Sequence, residues 1–132
     1  GAGDFEMLGL KNDDESSHLR SEFLYERVLK KVAGWGNTNN LMFVVGATQA
    51  TEFKNIREIV PDHFLLVPGV GFQGGSLQNI SKHAMNKEVG LLVNVSRTII
   101  FAGAKENFAE EAAIIARQYQ SEMEKFISTA GI

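Results

Sequence analysis

Apolar residues in this chain alternate between two kinds of spacing. From Glu22 onward Leu24, Val28 and Val32 recur every four residues among Glu26, Arg27, Lys30 and Lys31, and Gly34 follows. That spacing predicts an amphipathic helix stopped by the glycine. A turn-rich Gly36-Asn37-Thr38-Asn39-Asn40 gives way to Leu41-Met42-Phe43-Val44-Val45, an unbroken apolar run closed by Gly46. Such a run suits a parallel strand buried on both faces. Thr48 is placed to cap a second helix, with Phe53, Ile56 and Val60 on one face and Pro61 at its end.

The same succession repeats twice. A strand at Phe64-Leu65-Leu66-Val67 runs into Pro68 and a glycine-rich loop, after which Ser76 caps a helix carrying Leu77, Ile80 and Ala84. A strand at Leu91-Leu92-Val93-Asn94-Val95 leads to Ser96-Arg97, a short apolar turn from Thr98 to Ala102, and a last helix over about Asn107 to Thr129. In that helix Phe108, Ala112, Ile115, Tyr119, Met123 and Phe126 form one stripe. Three strand–loop–helix units predict an α/β fold with parallel strands. Residues 1–18, rich in Gly, Asn, Asp and Ser, read as a loop, and no linker divides residues 1–132, which read as one domain. Trp35 and the Met and Phe residues at helical spacing read as core. Three strands are few for a parallel sheet, whose open apolar edges invite association, so a further element is expected to complete it.

Composition narrows the functional classes. No cysteine is present, which excludes disulfides, thiolate metal sites and thiol nucleophiles and suits a reducing cytoplasm. A net charge of -3 gives no basic field for a nucleic-acid backbone, although a local cationic site can still hold one phosphate. No apolar run approaches the roughly 20 residues that span a bilayer, so neither nucleic acid nor membrane is expected as a partner. The Gly1-Ala2-Gly3-Asp4 start, without an initiator methionine, suggests a beginning inside a longer chain.

Ligands of parallel α/β folds sit at the carboxyl ends of the strands, which directs attention to Gly46-Ala47-Thr48, Pro68 to Gly75, and Asn94 to Arg97. The glycine loop, Gly69-Val70-Gly71-Phe72-Gln73-Gly74-Gly75, lets backbone N–H groups approach an anion, and Gln73 adds an amide donor. Arg97 supplies a guanidinium fork for the same phosphate. The blander alternative is a simple glycine turn beside an arginine paired with a surface carboxylate. Residues 69–74 also satisfy G-x-G-x-x-G between a strand and a helix. The next strand ends in Val95 and Ser96 where a dinucleotide site has an acidic residue, yet Ser96-Arg97 suits a 2′-phosphate, so an NADP-binding domain stays open. A non-catalytic phosphate-binding domain does too. His18, His63 and His83 have no metal-ligand spacing, and Asp4 and the Asp13-Asp14-Glu15 run read as turn and solvated loop.

Two segments together carry a resemblance. Leu66-Val67-Pro68-Gly69-Val70-Gly71-Phe72-Gln73-Gly74-Gly75, followed by Leu92-Val93-Asn94-Val95-Ser96-Arg97-Thr98-Ile99-Ile100-Phe101-Ala102, resembles the closing part of orotidine 5′-phosphate decarboxylase in its longer bacterial form. Gly1-Ala2-Gly3-Asp4-Phe5, Leu24-Tyr25-Glu26 and Val44-Val45-Gly46-Ala47-Thr48 look like the same family in the same order, so the similarity covers essentially the whole chain. It implies the C-terminal part of a TIM (β/α)8 barrel that converts orotidine 5′-monophosphate to UMP and CO2 without cofactor or metal, as a cytoplasmic homodimer. It further implies that Gln73 grips the substrate phosphate, with Arg97 as charged clamp and the Ser96 backbone N–H as a further donor. Pro68 and Val70 would border the pyrimidine pocket. Ser96 stands where many members have glycine, a change that a backbone donor tolerates, and Phe72 replaces a usually smaller residue. The family's D-x-K-x-x-D array is missing from these 132 residues. No catalytic residue is therefore assigned in this chain, and the missing N-terminal half of the barrel is its expected partner.

Overall fold

The computed structural model describes residues 23–48, 50–71 and 74–132. The expected loop over 1–18, with Asp4, Asp13, Asp14, Glu15 and His18, lies outside the described residues, as do Phe72 and Gln73. Helix α1 spans Leu24–Ala33, strand β1 Phe43–Val44, α2 Phe53–Ile59, β2 Leu65–Pro68, α3 Leu77–Ala84, β3 Leu91–Asn94, α4 Arg97–Ile100 and α5 Phe108–Ala130. The three strands form one parallel sheet in the order β1-β2-β3, with Phe43 opposite Leu65 and Leu65 opposite Leu91. Each strand is followed by a helix, as the repeated pattern predicts. Pairing of β1 with β2 continues past the short strand, since the Val45 and Ala47 N–H groups each donate 2.9 Å bonds to Leu66 and Pro68 carbonyls.

The core lies on one side of this sheet. Phe53, Ile56 and Val60 of the α2 segment and Leu77, Ile80 and Ala84 of α3 meet Leu65, Val67 and Leu91 there, which are the helix faces the spacing predicts. In α1 the period holds but the phase differs. Tyr25, Leu29 and Ala33 face the core, and Val28 is half exposed. The adjacent stripe wins because the Tyr25 hydroxyl donates to Glu52, in the 3-10 turn Ala50–Glu52 that precedes α2. That turn also delays α2, whose cap is Glu52 instead of Thr48. Ser76 does cap α3, accepting from the Asn79 N–H at 3.3 Å.

Burial on both strand faces is not what the structure shows. Phe43, Val45, Leu65, Val67, Leu91 and Val93 turn toward the helices, whereas Val44 is 68% and Leu92 48% exposed. Period-2 alternation puts these on the opposite, uncovered face, so the apolar runs cannot be told from doubly covered strands by composition alone. Trp35, expected in the core, is 71% exposed, because it sits in the turn just past the end of α1. Phe101 and Phe108 are likewise exposed, while Tyr119, Met123 and Phe126 of the α5 stripe pack on the core as expected.

At the amino ends of the strands Arg57 fastens four segments together. Its guanidinium donates to the carbonyls of Ala84 at 2.5 Å, His63 at 2.6 Å and Gly90 at 2.9 Å, and to Val60 at 3.2 Å. These are the ends of α3 and α2 and the entries to β2 and β3. Burial lowers its pKa to about 10 while nearby Asp62 opposes the shift, so it stays a cation at neutral pH.

Candidate functional site

The carboxyl ends of all three strands meet at the glycine loop. Gly75 packs directly on the Ala47 side chain behind β1, and a Cβ at residue 75 would lie 2.7 Å from the Gly69 carbonyl oxygen. Gly71 has φ +83°, and a Cβ there would lie 2.7 Å from Thr98 Oγ1 on α4 and collide with the Tyr119 hydroxyl of α5. Glycine is demanded at 71 twice, by left-handed backbone and by close approach. The two segments singled out in the sequence, the loop after β2 and Ser96-Arg97-Thr98 after β3, are thereby held side by side.

Three of the loop's amides bond within it. Gly71 N–H donates to Gly75 O at 3.0 Å, Gly74 to Gly71 O at 2.8 Å and Gly75 to Gly69 O at 3.2 Å. These three donors close the loop on itself. Arg97 opens α4 with an exposed side chain. Ser96 precedes it, and its backbone N–H takes no protein acceptor among the described residues. The Ser96 hydroxyl donates to Asn94 Oδ1 at 2.9 Å.

Pro68 ends β2 directly opposite Asn94, on the face that carries exposed Val44 and Leu92. Val70, 4% exposed, anchors the root of the loop in the core and bridges to Gly75. Gln73 lies outside the described residues. Tyr119 is a member of this cluster that the sequence did not single out, while Asn94 and Thr98 fall within the segments it did. Asn94 had a legible signal, being the polar residue in an otherwise apolar strand; Tyr119 had none, because its ring belongs to the core stripe and only its hydroxyl reaches the loop.

Other candidates stay apart from this cluster. A shallow concavity of about 580 Å³ runs along α5, lined by Ile114, Arg117, Gln118, Ser121, Glu122 and Lys125, and includes no strand-end residue. His63 stands against the Phe43 ring at 5.5 Å, and His83 is exposed. Among the described residues no group of three or more His, Cys, Asp or Glu is placed to hold a metal ion, and no helix is long and apolar enough to cross a membrane.

Three consecutive parallel strand–helix units with loops converging at the strand carboxyl ends fit a segment of a TIM-type β/α barrel. Comparison with solved structures agrees: UMP synthase of Leishmania donovani superimposes on 92% of this chain with a TM-score of 0.66 and 29% identity, using 25% of its own length. The OMP decarboxylase of Leishmania donovani matches 92% of this chain with a TM-score of 0.64 and 25% identity, over 43% of its length. No family model matches the sequence. Among curated proteins, orotidine 5′-phosphate decarboxylase of Phocaeicola vulgatus is 54% identical over 106 residues, 80% of this chain and 39% of that protein. The Porphyromonas gingivalis enzyme of the same name is 48% identical over all 132 residues, which is 45% of its length. The chain is thus homologous to a segment of the orotidine 5′-phosphate decarboxylases, and it spans less than half the length of the relatives it matches. The NADP-binding and non-catalytic alternatives find no support among these relatives.

Proposed function

We propose that this chain is the phosphate-binding part of an orotidine 5′-phosphate decarboxylase, which converts orotidine 5′-monophosphate to UMP and CO2. The observation that carries this is the 48% identity to the Porphyromonas gingivalis decarboxylase across every residue of the chain. In this assignment residues 1–132 act as one domain. Arg97 clamps the substrate phosphate, Gln73 grips it through its side chain, and the Ser96 N–H adds a donor. Pro68 borders the pyrimidine from the end of β2, and Val70 sets the same wall from beneath the loop.

The division of labour follows from the chemistry. Breaking the bond between C6 and the carboxylate leaves the electron pair on C6, where a positioned cationic lysine stabilises it and then supplies the proton. The chain has no D-x-K-x-x-D array, so that lysine and its aspartates come from the remainder of the barrel. Binding the phosphate far from the reacting carbon orients the base and contributes to the rate without touching the bond that breaks. The complete enzyme works as a cytoplasmic homodimer and needs neither cofactor nor metal.

Thermal unfolding of the chain with UMP, NADP or inorganic phosphate tests the assignment. UMP raises the midpoint more than phosphate does and NADP leaves it unchanged; the chain alone does not turn over orotidine 5′-monophosphate. Protection by NADP without protection by UMP would overturn it.

A further inference from the structure

Ser96 occupies the position that caps α4, yet its side chain makes no capping bond there. A serine at such a position ordinarily accepts from a backbone N–H of the first helical turn. Here its hydroxyl is turned sideways and donates to Asn94 Oδ1 at 2.9 Å. Engaging that oxygen fixes the plane of the carboxamide and leaves the two N–H donors of Nδ2, which take no protein acceptor among the described residues. Asn94 is exposed, ends β3, and lies opposite Pro68 on the uncovered face of the sheet. An asparagine there interrupts a strand that is otherwise Leu91-Leu92-Val93, and it contributes nothing to the core.

We propose that Asn94 is a further ligand-contacting residue of this site, and that Ser96 is its positioning residue. Its Nδ2 donates to a sugar oxygen of a bound phosphate monoester, on the side toward Pro68 of the phosphate held by Arg97. A neutral donor fits that place, since a second cation would bind inorganic phosphate as tightly as the ester. The proposal rests on the decarboxylase assignment for the identity of the ester and adds to it a determinant that separates a nucleotide from free phosphate. It also gives Ser96 a side-chain role beside that of its backbone N–H.

The test uses the full-length protein containing this segment, with Kd for UMP and for inorganic phosphate measured by calorimetry and turnover of orotidine 5′-monophosphate followed in parallel. Asn94→Ala weakens UMP about tenfold, the loss of roughly one hydrogen bond to a charged or polar ligand, and changes phosphate affinity less than twofold. Ser96→Gly keeps the backbone donor and still weakens UMP severalfold; Ser96→Thr, which keeps the hydroxyl, restores it. The double variant Asn94→Ala, Ser96→Gly is no weaker than Asn94→Ala alone, because one residue acts through the other. UMP affinity within twofold of the parent in Asn94→Ala, or additive losses in the double variant, overturns the proposal. Absence of UMP binding and of turnover in the unsubstituted protein overturns the decarboxylase assignment together with it, a different result from unchanged UMP binding in Asn94→Ala.

Discussion

Gly71 lies against the Tyr119 hydroxyl, so tightly that a methyl group at residue 71 has no room unless the phenol moves. Thr98 Oγ1 blocks the same space at 2.7 Å, and the backbone at Gly71 has φ +83°. Gly71→Ala therefore costs about 1–3 kcal/mol of stability through strain alone, before the clash is counted. Adding Tyr119→Phe removes the nearest obstacle and recovers part of the loss, but not the part due to the backbone. Urea unfolding of the two variants beside the parent measures both contributions.

Arg97 is exposed at the mouth of the cluster, so its removal should separate binding from folding. Arg97→Ala in the full-length enzyme lowers kcat/KM by about 2–4 kcal/mol of transition-state stabilisation, the loss of a charge-assisted pair in a preorganised site. Arg97→Lys recovers only part, because an ammonium keeps the charge without the fork. Unfolding of the isolated chain shifts by less than about 0.5 kcal/mol. Near-normal kinetics in Arg97→Ala would refute its assignment as the phosphate clamp.

Much of this arrangement was legible in the sequence, for reasons that individual residues make plain. Phe53, Ile56, Val60, Leu77, Ile80 and Ala84 are spaced for one helix face and occupy it, since period and burial are the same physical fact for a helix lying on a sheet. Direction of burial was less legible. Leu24-Val28-Val32 and Tyr25-Leu29-Ala33 are neighbouring stripes of nearly equal character, and a hydrogen bond from Tyr25 to a distant Glu52 chose between them. Val44 and Leu92 read as doubly buried because an uncovered apolar face has the composition of a covered one. The site shows the same limit. The meeting of the glycine loop with Ser96 and Arg97 follows from strand order, but the inward closure of the Gly71, Gly74 and Gly75 amides and the Tyr119 contact depend on coordinates.

At the other end of the sheet Arg57 donates to the carbonyls of Ala84, His63 and Gly90, the last of which also accepts from the Leu65 N–H at 2.9 Å. Arg57→Met takes this donor from the Ala84 and His63 carbonyls, leaves Gly90 only its bond from Leu65, and costs about 2–4 kcal/mol, whereas Arg57→Lys recovers a fraction because one ammonium cannot span three segments. Chemical denaturation at neutral pH reads the difference, while the strand-end site is left intact.

Alkaline pH isolates the Tyr25 contact. Burial first, then the hydrogen bond to Glu52, raises the Tyr25 pKa above its ordinary value of 10.0 in the folded chain. Below about pH 10 the phenol is protonated in both folded and unfolded states and the contribution is fully present; above it the unfolded state ionises first, so stability falls as pH rises toward the folded value. Arg57 acts in the opposite sense above about pH 10, because its folded value is the lower one. The comparison is therefore made against Tyr25→Phe, whose stability declines less steeply over the same range. Equal slopes for parent and variant in a pH series of unfolding midpoints would show that the Tyr25 contact is not formed.

The uncovered face of the sheet gives the sharpest contrast between the chain by itself and the complete protein. Leu92 on β3 is 48% exposed and Val44 on β1 is 68% exposed, and both point away from every described helix. If the remaining strands close a barrel, these positions turn into its packed interior layers. Leu92→Lys in the isolated chain places a charge where water already reaches, costs less than about 1 kcal/mol, and reduces self-association. In the full-length protein the same lysine is trapped in a closed apolar layer, where burying an unpaired charge costs several kcal/mol, on the order of 3–5. Unfolding measurements on the two backgrounds decide the matter. A similar small cost in both would mean that Leu92 stays at a surface and that the sheet is completed in some other way.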